Sequence, residues 1–199
     1  MLVVARYNED ISWTNDFENV VIYNKGSFLE NSIPLPNVGR ESHSYLYHII
    51  NNYHCLDDVM MFSQGDYKQH TGLSLKEFKE KMLDVELGYS LLYDASRLAH
   101  GHDLSNREEF TYMNHHGSEV ANRKGYNLKE WWESTLQEDY KISEYVFWGG
   151  IFSVKKEFIL KRSLDDYIKL YLSLNYHNNP IEGQFCERTW FNIFGLEEC

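Results

Sequence analysis

Three short apolar runs, each breaking abruptly into a polar loop, constrain this chain more than any other feature. Leu2-Val3-Val4-Ala5 opens into Arg6-Tyr7-Asn8-Glu9-Asp10. Asn19-Val20-Val21-Ile22-Tyr23-Asn24 stops at Lys25-Gly26, and Asp58-Val59-Met60-Met61-Phe62 breaks into Ser63-Gln64-Gly65-Asp66. Runs this short and this continuously apolar fit strands buried on both faces of a sheet. Between them, residues 40–53 carry Tyr45, Leu46, Ile49 and Ile50 at helical spacing, and residues 75–87 repeat an amphipathic pattern. The order strand, strand, helix, strand, helix predicts an α/β fold with its ligand site at the carboxyl ends of the strands.

The second half is less regular. Residues 94–127 are rich in His, Asn, Gly and charge, and predict loops and short helices. A long irregular stretch inside a compact domain is more often functional than idle. Residues 128–136 predict a helix, and residues 145–154 a strand-like segment around the Gly149-Gly150 break. Residues 155–162, 164–174 and 182–194 predict further helices. With 3 prolines and no Gly/Ser/Pro-rich linker in 199 residues, a single domain is expected. A chain of this length can bury roughly 70% of its unfolded surface.

Charge and cysteine usage narrow the function classes. A net charge of -11, with Lys and Arg scattered among acids, argues against a duplex nucleic-acid binder. It still permits a phosphate held locally by a helix N-terminus, one or two arginines or a metal. No segment reaches 18 consecutive apolar residues, so no membrane span is expected, and no signal peptide is visible. Cys55, Cys186 and Cys199 share no CxxC spacing and read as free thiols of a reducing, cytoplasmic environment.

Asp66 follows a buried strand, with Gly65 before it, and a hard cation there would take one or two carboxylates plus phosphate oxygens. The plainer alternative is a turn in which Asp66 caps the next segment. Asn37-Val38-Gly39-Arg40-Glu41 leads into the first helix, where Arg40 could hold a phosphate or remain solvated. His100-Gly101-His102-Asp103 and His115-His116 lack the usual zinc spacings, although a metal-dependent hydrolase built on residues 100–116 is one alternative. Trp148-Gly149-Gly150 offers a place where backbone approaches a ligand closely. Glu182, opening the last helix after Asn179-Pro180, could act as a general base or simply cap that helix. Glu187 is its competitor, with a salt bridge to a nearby arginine as its plainer reading.

In this order the motifs resemble the GT-A glycosyltransferases, the nucleotide-diphospho-sugar transferase family. Val3-Val4-Ala5-Arg6-Tyr7-Asn8-Glu9 is similar to the opening strand and its loop against the nucleotide, and Asn37-Val38-Gly39-Arg40 to the N-x-G segment. Phe62-Ser63-Gln64-Gly65-Asp66 resembles the strand ending in the DxD motif, with Gln64 where the first acid stands. Trp148-Gly149-Gly150-Ile151-Phe152 is similar to the GG-x-F strand behind sugar and acceptor. The segment from Pro180 to Arg188 occupies the place of an acidic ED segment.

The resemblance implies a central mixed, Rossmann-like sheet flanked by helices. It also implies a nucleotide-binding half, about 1–90, and an acceptor half, about 91–199. Ala5, Arg6, Tyr7, Asn8, Glu9, Asn37, Gly39, Arg40, Gln64 and Gly65 would hold the nucleotide, and Trp148, Gly149 and Gly150 the sugar or acceptor. Asp66 would hold Mn²⁺ or Mg²⁺, and Glu182 or Glu187 would act on the acceptor. The wording around residues 37–66 is also similar to the small glycosyltransferase domain of chlorella viruses. That likeness implies a UDP-glucose or UDP-rhamnose donor, a glycan or glycoprotein acceptor and, for a viral protein, the host cytoplasm. Glu197-Glu198-Cys199 directly follows a predicted helix, so one domain of a longer polypeptide is a further expectation. A non-catalytic sugar-nucleotide or carbohydrate-binding domain is the remaining alternative.

Overall fold

The computed structural model describes residues 1–90, 120–141, 143 and 145–196. Among these, β1 (Leu2–Arg6), β2 (Val20–Asn24), β3 (Ile33–Pro34) and β4 (Val59–Gln64) form the parallel part of one sheet. The α1 helix (Arg40–Asn52) makes the crossover into β4, and α2 (Tyr67–Thr71), α3 (Leu75–Leu83) and β5 (Tyr89–Ser90) follow. The chain is described again from residue 120. It runs through α4 (Leu128–Leu136), β6 (Phe152–Lys155), α5 (Lys156–Ile159), α6 (Leu164–Leu174) and α7 (Ile181–Ile193).

The strand order is β3-β2-β1-β4-β6-β5, with β6 antiparallel to both of its neighbours. The fold is thus α/β, a single domain around a mixed six-stranded sheet flanked by helices. Both faces of the sheet are covered, which is why the strands read as unbroken apolar runs rather than alternating ones. On one face Val3, Met60, Phe62, Phe152 and Val154 pack with residues of α1, α4, α6 and α7. On the other Leu2, Val4 and Met61 meet Tyr67, Phe78 and Met82 of α2 and α3. The aromatic surplus goes largely into this core. The Phe147 and Phe152 rings stack with centroids 4.7 Å apart, and Trp190 stacks on Phe194 at 5.4 Å.

Several boundaries differ from expectation. Residues 75–87 do not form one helix: α3 stops at Leu83, the Asp84 amide closing its last turn, and Gly88 at φ 89° turns the chain into β5. Residues 145–154 are not one broken strand. Gly149 at φ 69° and Gly150 at φ 62° form a tight left-handed turn, and the strand begins only at Phe152. The helix expected over residues 155–162 shrinks to α5, and the last helix starts at Ile181, immediately after Pro180. Two short strands, β3 and β5, the helix α2 and a 3₁₀ turn at Ser12–Asp16 were not expected. The His100, His102, Asp103, His115 and His116 cluster lies outside the described residues, as does Cys199. Among the described residues, no helix is long and apolar enough to cross a membrane.

Candidate functional site

Because β1 pairs with β2 on one side and β4 on the other, all in parallel, the three carboxyl ends open on one edge of the sheet. The connection from β3 back to β4 passes through α1, so this edge is a topological switch point, where open α/β sheets bind ligands. A cavity of about 210 Å³ lies there. The end of β1 and its loop contribute Ala5, Arg6, Tyr7 and Glu9 to its wall, and β4 contributes Gln64. Asn37, Arg40 and Glu41 come from the entry to α1, Lys25 from the end of β2, and Asn178 from the approach to α7.

The loop after β1 is braced by its own side chains. Arg6 is buried, and its guanidinium donates to the carbonyls of Glu9 at 2.9 Å and Tyr7 at 3.1 Å, and to Asn24 Oδ1 at 2.8 Å. Glu9 Oε2 accepts the amides of Tyr7 at 2.7 Å and Asn8 at 3.1 Å. Asn8 Oδ1 accepts both the amide and the hydroxyl of Ser27 at 2.8 Å. Gly26 allows this approach: a Cβ there would stand 1.6 Å from the Tyr7 carbonyl oxygen. Arg6, Asn8 and Glu9 therefore build the loop, and Tyr7, half exposed, is left at the cavity.

The entry to α1 is strained and clamped. Gly39 at φ 64° is followed by Arg40 at φ 51°, a left-handed conformation that a side chain rarely adopts outside sites held by their surroundings. Lys25 Nζ holds this turn by donating to the Val38 carbonyl at 2.5 Å and to the Arg40 carbonyl. Burial pushes the Lys25 ammonium down to about 7, with Glu41 pulling the other way. Arg40 Nε lies 3.4 Å from Glu41 Oε2, and the Glu41 side chain is only 6% exposed.

The Gly149-Gly150 turn closes the side of the site formed by β4. Gln64 Nε2 donates to the Gly149 carbonyl, and the Gly149 amide donates to Glu187 Oε1 at 2.9 Å. Gly150 lies against Glu41, whose Cγ would be 3.0 Å from a Cβ at that position. The Gly150 carbonyl accepts from Tyr45 at 2.9 Å. Trp148 lies under the Arg188 guanidinium, 5.6 Å from ring centroid to Cζ.

The two acids expected at an acceptor separate here. Glu187 meets the glycine turn, with Arg188 Nη1 at 3.8 Å from its Oε2. Glu182 is fully buried, and its two oxygens accept the hydroxyls of Tyr126 at 2.9 Å and Tyr176 at 2.7 Å. It therefore does not stand at an open mouth of the last helix. Asp66 caps α2, its Oδ1 accepting the Gln69 amide at 3.0 Å, and this bond uses one of its two carboxylate oxygens.

The family model described as "Protein of unknown function (DUF3431)" matches residues 2–199, practically the whole chain. The chain belongs to the DUF3431 family. No curated protein and no solved structure matches it.

In this DUF3431 chain the structure brings together Ala5, Arg6, Tyr7, Glu9, Asn37, Arg40 and Gln64 at one cavity, with the Gly149-Gly150 turn beside it. Gly39 shapes the wall instead of lining it, its amide donating to the His177 carbonyl at 2.8 Å. Gly65 packs against Glu9. Lys25, Glu41 and Asn178 are cavity residues that sequence reasoning missed. Lys25 reads as a solvated strand terminator and Glu41 as an ordinary first-turn acid. Only the burial that the fold imposes distinguishes them. Among the described residues, no three His, Cys, Asp or Glu side chains gather as a metal site.

Proposed function

We propose that this DUF3431 protein is a metal-dependent glycosyltransferase of the GT-A type, moving a sugar from UDP-glucose or UDP-rhamnose to a glycan or glycoprotein acceptor. The observation that carries this reading is the convergence of the β1 loop, the Asn37–Arg40 entry, Gln64 and the Gly149-Gly150 turn at one edge of the sheet. Of the cavity's basic side chains, Arg6 braces the β1 loop and Lys25 the entry to α1, which leaves Arg40 as the group to meet an anion within an acidic protein. At about 210 Å³ it is smaller than the roughly 300–1,000 Å³ common for drug-sized ligands. It suits one part of a sugar nucleotide, with the rest lying along the edge toward Gly149.

Asp66 fits a cation that takes most of its ligands from the diphosphate, since the cap of α2 uses only Oδ1. Bound there, Mn²⁺ or Mg²⁺ would neutralise charge developing on the departing UDP. Glu187 is the better placed acid for an acceptor, because Glu182 has both oxygens committed to tyrosines. A non-catalytic sugar-nucleotide-binding domain is the second reading, favoured by Gln64 standing at the first acid and being tied to Gly149.

The test is a thermal-shift panel of UDP, GDP, CMP and their sugars, with and without Mn²⁺, followed by turnover of whichever sugar binds. At a hundred-fold excess over Kd, a ligand specific for the native state should raise Tm by roughly 5–10 °C. Binding without turnover selects the second reading. No shift with any nucleotide sinks both.

A further inference from the structure

We infer that Glu41 Oε1 accepts a sugar-ring hydroxyl of the bound ligand, an inference that rests on reading the cavity as a sugar-nucleotide site. Glu41 lines that cavity and is only 7% exposed. Its Oε1 is buried with no hydrogen-bond partner among the described residues. The nearest cation, Arg40 Nε, faces the other oxygen, Oε2, at 3.4 Å. Lys25 directs its ammonium to the Val38 and Arg40 carbonyls. A carboxylate oxygen withdrawn from water without a donor is unfavourable, so a ligand that supplies one gains strongly at this point.

The surroundings select the chemistry of that donor. A phosphate oxygen would be repelled by Glu41, while the Arg40 guanidinium on the same wall attracts the anionic part of a ligand. A directly bound divalent cation would call for further carboxylates, and among the described residues no three His, Cys, Asp or Glu side chains gather around Glu41. A neutral hydroxyl satisfies Oε1 without adding charge. Gly150 leaves bare backbone beside Glu41, since a Cβ there would stand 3.0 Å from its Cγ. The ligand is therefore read at two chemically different ends, phosphate by Arg40 and polyol by Glu41. The polyol is either the ribose or the transferred hexose.

Calorimetric titration of the full chain, Glu41→Gln and Glu41→Ala decides between them. The ligands are UDP-glucose and analogues lacking one ribose or one glucose hydroxyl at a time, with Mn²⁺ alone as a control. In the parent protein, removal of one particular hydroxyl should weaken binding about ten- to a hundred-fold. Glu41→Ala should bind that analogue and the complete ligand equally, whereas Glu41→Gln, whose amide oxygen still accepts a hydroxyl, should keep a smaller penalty. The ring that carries the sensitive hydroxyl identifies the source.

A hydroxyl penalty of the same size in all three proteins overturns the inference while leaving the sugar-nucleotide reading intact. Loss of Mn²⁺ binding in Glu41→Gln overturns it in favour of a cation. Failure of the parent to bind any UDP ligand overturns the sugar-nucleotide reading itself, and the inference with it. If both variants unfold, the parent series decides alone: the absence of any ten-fold hydroxyl effect is fatal.

Discussion

Arg40 begins α1 at φ 51° while its side chain faces the cavity, so stability and binding pull on it in opposite directions. Arg40→Gly should relieve the left-handed strain and raise unfolding stability by about 1 kcal/mol. The same change should weaken UDP by roughly 1.5–3 kcal/mol through loss of a charge-assisted hydrogen bond. Urea unfolding and UDP titration of one sample measure both, and unchanged affinity would remove Arg40 from the site. Glu182 makes the opposite case. Glu182→Ala strands two partly buried tyrosine hydroxyls and should cost about 2–4 kcal/mol of stability, with UDP affinity of the folded fraction unaltered. Arg40 and Gln64 were legible because each stands where an apolar or helical pattern begins or ends. The setting of Glu182 was not legible, because position in sequence says nothing about whether a carboxylate is caged, and Tyr126 and Tyr176 approach it only in the folded chain.

Helix α1 buries polar residues all around its first turns, Glu41, Ser42, His43, Ser44 and His48, on a segment whose apolar spacing alone marks it as a helix. Burial, the first cause in each case, pushes His43 down to about 3 and His48 to about 4. Below the ordinary histidine value near 6.5 the unfolded chain takes up protons that the folded chain refuses. Stability from both residues is therefore complete above pH 6.5 and lost as pH falls toward 4. Urea unfolding at pH 7.5 and pH 5 should show the decline, and His48→Gln should flatten it. A flat profile in the parent would show that these rings are protonated in the fold. Elements with three or more apolar positions in register, such as β1, β4, α1 and α6, could be read directly. The two-residue strands β3 and β5 and the five-residue α2 are too short to carry a period. The Gly149-Gly150 break was visible, but its left-handed geometry was not.

Across the whole molecule, a net charge of -11 surrounds a cavity whose wall sets Arg6, Arg40 and the buried Lys25 against Glu9 and Glu41. The distant field repels an approaching diphosphate and is screened within about 8 Å at physiological ionic strength, whereas partly buried local contacts are screened less. The association rate for UDP should therefore rise between low and moderate salt. Stopped-flow measurements showing a steady fall would mean that the cavity's own cations govern the approach. The strand order has a consequence for synthesis as well. Strand β6, which covers the free edge of β4, is translated long after it. At common ribosomal speeds of ~5–20 residues per second, the nascent chain would present that edge uncovered for roughly 5–20 s. An apolar strand with unsatisfied amides invites pairing with another chain. Folding on the ribosome is then a race between elongation and misassembly, one that chaperone supply or slower translation before Phe152 would visibly bias.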